Sequence, residues 1–124
     1  MVKSIILERN IDILLLQETR RARFADKWNI PGFNIYETRM QTSKDGLMTM
    51  VSKKLLSQEI NSRSEDMCIV KILLENGKNL YVVNIYIPPD RSSLAALGRL
   101  LGSLPDITHY RRDDEFIIAG DFNL

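Results

Sequence analysis

Apolar residues at the start of the chain fall at helical spacing. Val2, Ile5 and Ile6 share one face ahead of Arg9, which predicts a short helix over 2–9 that buries all three. Asn10 is its expected stop. The pattern then changes. Ile13-Leu14-Leu15-Leu16 is a continuous apolar run within 12–17, as in a strand covered on both faces. A helix leading directly into such a strand points to a layered α/β domain. After a polar stretch over 19–27, Pro31-Gly32 marks a turn. Strands are expected over 33–38, 47–51, 57–61, 67–74 and 80–87, with a loop over 41–46. Asn76-Gly77 lies between two apolar runs, and both residues tolerate positive φ, so 67–74 and 80–87 should form an antiparallel hairpin.

Pro88-Pro89 ends the second hairpin strand, since proline cannot donate to a ladder. Ser92 or Ser93 can then cap a helix whose apolar stripe is Leu94, Leu97, Leu100, Leu101 and Leu104. Gly98 and Gly102 weaken that helix by roughly 1 kcal/mol each relative to alanine, and Pro105 stops it. A last strand is expected over 115–119, followed by Gly120-Asp121-Phe122-Asn123-Leu124. No repeat or linker divides the chain, so its 124 residues fit one small domain or a piece of a larger one.

Composition narrows the function classes. With 44% hydrophobic and 27% charged residues, the chain reads as globular rather than disordered. Seventeen Lys and Arg against sixteen Asp and Glu give a net charge of +1. That excludes a strongly basic nucleic-acid coat but leaves local contacts to a polyanion open. Cys68 is the single cysteine, which excludes an internal disulfide framework and fits a reducing, intracellular compartment. The apolar runs are too short to cross a bilayer, so no membrane role is expected. Met1-Val2-Lys3-Ser4 reaches Glu8 and Arg9 after three apolar residues, unlike a secretory signal.

Three predicted strands end in polar residues that a core would not choose: Gln17-Glu18-Thr19, Asn84 to Tyr86, and Gly120-Asp121-Phe122-Asn123. Ligands of α/β sheets gather where strands exit. If these ends share one edge, Glu18, Tyr86, Asp121 and Asn123 converge. Two carboxylates and an amide oxygen are hard ligands suited to Mg²⁺ or Mn²⁺ rather than zinc. A tyrosine hydroxyl can donate to a phosphate oxygen, and an aspartate can orient and deprotonate a water. Each residue taken singly has a plainer reading. Glu18 could be a solvated acid, Tyr86 a packing residue with a wet hydroxyl, and Gly-Asp-x-Asn a turn. Spacing alone leaves the function open.

Taken together, the three segments carry a resemblance. Asp12-Ile13-Leu14-Leu15-Leu16-Gln17-Glu18-Thr19, Asn84-Ile85-Tyr86-Ile87-Pro88-Pro89 and Ile117-Ile118-Ala119-Gly120-Asp121-Phe122-Asn123 resemble, in order and spacing, three motifs of the endonuclease/exonuclease/phosphatase superfamily. Lys44-Asp45-Gly46-Leu47 sits where members carry a glycine-rich turn, with Asp45 replacing one glycine. The wording is most similar to the endonuclease domains of LINE-type retrotransposons. The resemblance implies an α/β fold: a two-sheet β-sandwich flanked by helices, four layers in all. It also implies Mg²⁺-dependent phosphodiester hydrolysis, with DNA as the substrate in the retrotransposon branch. Glu18 resembles the metal-binding glutamate. Tyr86 resembles the tyrosine on the scissile phosphate, and Asp121 the aspartate that activates water. Asn123 resembles the asparagine that orients the phosphate and the site.

The sequence also departs from the family pattern. Members begin with an asparagine-bearing strand upstream of the first helix, and continue past the third motif to another aspartate and a Ser-Asp-His. Neither has a counterpart here, and the only histidine, His109, follows Thr108. The expectation is a partial domain over 1–124, lacking the first strand and the C-terminal half. It should be catalytically crippled by about 10³-fold or more, because these groups act as a unit. It should also expose a sheet edge and an apolar face that the other half would cover. Arg20, Arg21, Arg23, Arg91, Arg111 and Arg112 could contact DNA phosphates, or simply be solvated like Lys53 and Lys54. A phosphorylated lipid or inositol phosphate remains an alternative substrate, and a non-catalytic remnant or binding module an alternative role. A nuclear location follows only from the retroelement reading.

Overall fold

A computed structural model describes residues 2–20, 28–38, 46–61, 66–87, 93–102 and 113–123. Helix α1 spans Val2–Arg9. Asn10 ends it at φ 52°, and the Ile11 N–H donates back to the Ile6 carbonyl at 3.3 Å, a left-handed helix stop. Ile6 is buried and Val2 packs beside it, but Ile5 is 43% exposed rather than inside. Neighbouring helix residues lie about 100° apart, and so short a helix presents only one narrow stripe to the sheet.

Strands β1 (Ile13–Gln17), β2 (Phe33–Thr38) and β3 (Leu47–Ser52) form one antiparallel sheet in the order β1-β3-β2. Strands β4 (Leu56–Ile60), β5 (Met67–Leu73), β6 (Asn79–Tyr86) and β7 (Glu115–Asp121) form the second, in the order β4-β5-β6-β7. The β6–β7 pair is parallel. Parallel neighbours need a crossover, and α2 (Ser93–Gly102) lies within it.

Alternation along the strands builds three apolar layers. Ile6, Ile30, Met48 and Met50, with Leu14 and Leu16, fill the space between α1 and the first sheet. Leu47, Val51, Cys68, Val70, Val82 and Tyr86, with Ile13 and Leu15, join the two sheets. Met67, Tyr81, Val83, Ile85 and Ile87 cover the outer face of the second sheet, where Leu97 of α2 packs. The result is the four-layered α/β sandwich that the sequence pattern and the resemblance led one to expect.

Several details differ from expectation. β1 does meet apolar neighbours on both faces, but each of its residues is only half-buried, because among the described residues the strand lies at the edge of its sheet; the central β3 is the fully buried one. The β5–β6 hairpin forms, yet only Gly77 takes a positive φ, at 80°. Its N–H donates to the Leu74 carbonyl at 3.0 Å, so the turn is longer than a two-residue Asn-Gly loop. Leu94 of the predicted stripe is 76% exposed. The side chains of Leu100 and Leu101, and all of Leu104, His109, Pro88, Pro89, Arg21, Arg23, Arg91, Arg111 and Arg112, lie outside what is described. No described helix is long and apolar enough to cross a membrane.

Cys68 sits between the sheets, where the Thr49 hydroxyl donates to its sulfur at 3.7 Å. Burial pushes its thiol up to about 11; the Thr49 bond pulls the other way and the Glu59 charge adds to the rise. An unfolded chain sheds that proton above about pH 8.5, while the folded chain keeps it to about pH 11. The thiol's contribution is therefore complete below about pH 8.5 and is lost as pH climbs through that window. Urea midpoints measured from pH 8 to 11 should fall more steeply for the native chain than for Cys68→Ala. Equal slopes would show that the thiol is not the cause.

Candidate active site

Three strand ends meet at one rim of the sandwich. β1 packs against both β6 and β7, so the chain leaving β1 passes the C-terminal ends of the two parallel strands. Glu18, the first residue past β1, takes φ 51°, and Arg20 takes φ 53°. Such left-handed conformations cost a non-glycine residue about 1 kcal/mol or more. The bend is tied down by the Thr19 N–H, which donates to the Gly46 carbonyl at 3.3 Å. Gly46 fits closely there. A Cβ on it would lie 2.5 Å from Thr19 Oγ1 and 3.4 Å from the Thr38 carbonyl oxygen.

The bend brings Glu18 to Tyr86 at the end of β6. The Tyr86 hydroxyl donates to Glu18 Oε1 at 2.7 Å. The tyrosine ring is buried, and the glutamate remains exposed. Arg20 Nη2 lies 3.9 Å from the same carboxylate oxygen, with both side chains largely in solvent, so solvent screens the pair. Asp121 is the register partner of Tyr86 on the neighbouring parallel strand. Its carbonyl accepts from the Ile87 N–H at 2.9 Å. Asn123 turns at φ 49°. Its N–H donates to Asp121 Oδ1 at 3.2 Å and its side-chain amide donates to the Ile87 carbonyl at 2.6 Å. All four residues chosen from sequence are thus at this rim: Glu18 bonds Tyr86, Asp121 neighbours Tyr86, and Asn123 fastens the Asp121 turn to β6.

Two residues noted at the strand ends, Gln17 and Asn84, were given no role from sequence. Asn84 is fully buried in the inter-sheet core, and Gln17 Nε2 donates to its side-chain oxygen at 2.8 Å. The available signal was a lone amide within Tyr81-Val82-Val83-Asn84-Ile85, an otherwise apolar run. A buried amide has to find partners, and those partners sit one residue before Glu18.

No group of three or more acidic, histidine or cysteine side chains that could cage a metal occurs among the described residues. Glu18 and Asp121 nevertheless offer only hard oxygen donors. Magnesium is suited to one or two carboxylates with retained waters, not to a full protein cage. The donor set fits Mg²⁺ or Mn²⁺ on those terms.

The model of the Endonuclease/Exonuclease/phosphatase family matches residues 1–124. The chain belongs to that family. Enzymes of this family generally depend on a divalent metal ion. Among solved structures, the chain is similar to the endonuclease domain of TRAS1, a telomere-specific non-LTR retrotransposon. The two share 16% identity at a TM-score of 0.70, over 98% of this chain and 51% of that one. It is also similar to ANGEL2, a 2′,3′-cyclic phosphatase, with 20% identity and a TM-score of 0.60 over 98% and 42% of the two chains. These likenesses establish the fold, and the chain spans about half the length of the structures it matches. No curated protein sequence matches it.

Proposed function

We propose that the chain carries part of the site of a Mg²⁺- or Mn²⁺-dependent phosphodiester hydrolase that nicks DNA, of the retrotransposon type. The supporting observation is the Glu18–Tyr86 hydrogen bond with Asp121 in register beside it. Glu18 is the metal ligand, through a carboxylate already aimed by Tyr86. When bound, the cation polarises the phosphoryl group and steadies the leaving oxygen. With Glu18 drawn to the cation, the single Tyr86 hydroxyl proton would turn from Glu18 to the scissile phosphate. Asp121 orients a water and accepts its proton. Asn123 orients the phosphate and the site, and its side-chain amide keeps the Asp121 turn docked on β6. DNA is the substrate and the nucleus the place of action in this reading.

A second reading, a non-catalytic binding or remnant module, is favoured by one observation: the Tyr86 hydroxyl already donates to Glu18, as in a purely structural contact. The test is nicking of supercoiled plasmid by the 124-residue protein. Nicking should require Mg²⁺ and disappear in Glu18→Ala and Asp121→Ala. Cation binding without any nicking would favour the second reading. Phosphate release from inositol phosphates without nicking would move the substrate to that class.

A further inference from the structure

We infer that Asn84 and Gln17 form a buried clamp that positions Glu18 against Tyr86. This inference rests on the catalytic reading of that pair only for its functional consequence; the clamp itself is defined by geometry. Asn84 lies on the face of β6 that carries Val82 and Tyr86, within the inter-sheet core. Its side-chain nitrogen lies 3.2 Å from the Leu16 carbonyl oxygen on β1 and 3.1 Å from the Met48 carbonyl oxygen on β3. Thr49 Oγ1 lies farther away, at 3.4 Å. The side-chain oxygen accepts from Gln17. One amide thus ties the end of β1 and the start of β3 to the second sheet.

An apolar side chain would pack this core at least as well, because a satisfied buried amide adds little net stability over an apolar replacement. What the amide adds is fixed geometry. Apolar contacts between sheets are non-directional and leave the paired end of β1 and β3 free to shift against β6. Hydrogen bonds at Leu16 and Gln17 remove that freedom immediately before Glu18. The rigid link then runs two residues along β6, from Asn84 to Tyr86, and one along β1, from Gln17 to Glu18. Both cross-sheet bonds, Gln17–Asn84 and Glu18–Tyr86, therefore form in the same register. Asn84 and Gln17 are positioning residues and touch no reacting atom.

The test is the ¹³C shift of the Tyr86 ring Cζ, assigned with Tyr86→Phe, which reports the bond to Glu18 without any metal or substrate. Glu18→Ala defines the unbonded value. Gln17→Leu, at the half-buried strand end, and Asn84→Val, in the core, should both move the signal most of the way to it while the circular dichroism stays native. Gln17→Leu keeps the proposal testable if Asn84→Val fails to fold. Val70→Ala loosens the same inter-sheet core away from the rim and should leave the signal in place. An unchanged Tyr86 signal in folded Gln17→Leu overturns the clamp, and so does an equal change in Val70→Ala. Mn²⁺ titration of the same proteins separates the two ideas. Affinity should drop about tenfold in the clamp variants and vanish in Glu18→Ala. If Glu18→Ala leaves Mn²⁺ binding intact, the metal reading fails, and the clamp stands or falls on the Tyr86 signal alone.

Discussion

Gly120→Ala should cost more stability than any other single methyl added at a described glycine. Gly120 adopts φ 148°, a conformation open to glycine and strained for every L side chain. A Cβ there would overlap the Ile85 carbonyl oxygen, and would lie 2.8 Å from its carbon and 2.9 Å from the Ile85 nitrogen. Ile85 is fully buried, so its backbone has nowhere to retreat. Strain and steric overlap together should cost about 3–5 kcal/mol, a large part of the roughly 5–15 kcal/mol that stabilises a domain. Urea unfolding provides the measurement, with two controls. Gly77 also has a positive φ, 80°, but open space around it, so Gly77→Ala should cost about 1 kcal/mol. Gly98 lies in α2 with nothing near it, so Gly98→Ala should gain about 1 kcal/mol. If Gly120→Ala unfolds like Gly77→Ala, the overlap with Ile85 is not the controlling contact. Because Asp121 follows Gly120, separation of β7 from β6 would also remove Asp121 from the side of Tyr86.

The native chain should self-associate through β7. This strand is the edge of its sheet among the described residues, and Phe116, Ile117 and Ile118 are 39%, 47% and 38% exposed. Consecutive residues point to opposite faces, so both faces of the strand are open. Its composition is that of an interior parallel strand, and its centre carries neither the lysine nor the proline that usually blunts an edge. Phe116 is partly sheltered by stacking on Tyr81, with ring centroids 4.9 Å apart, which leaves Ile117 and Ile118 as the side chains to change. Light scattering should show mass rising with concentration for the native chain. Ile117→Lys should hold it at the monomer mass over the same range, with urea stability changed by less than about 1 kcal/mol. Association that persists undiminished in Ile117→Lys would place the sticky surface elsewhere.

Much of this molecule was legible from local pattern. The helical spacing of Val2 and Ile6, the apolar run of 13–16, the Asn76-Gly77 turn and the run ending at Tyr86 each specify an element, because period and turn chemistry are properties of neighbouring residues. The three motifs around Glu18, Tyr86 and Asp121 also identified the family, since residue order needs no coordinates. Sequence alone did not show which strands are edges. β1 read as a strand covered on both faces and 115–119 simply as a last apolar strand, and their exposure depends on sheet order, which long-range pairing sets. Nor could it assign Asn84, whose partners on β1 and β3 lie 35 to 68 residues away. The Gly120 conformation depends on contact with Ile85, a register partner on another strand. Local chemistry fixed the elements and the candidate residues; burial, edge position and the bond between Glu18 and Tyr86 arise only when two sheets pack, because each depends on atoms that the chain brings together from afar.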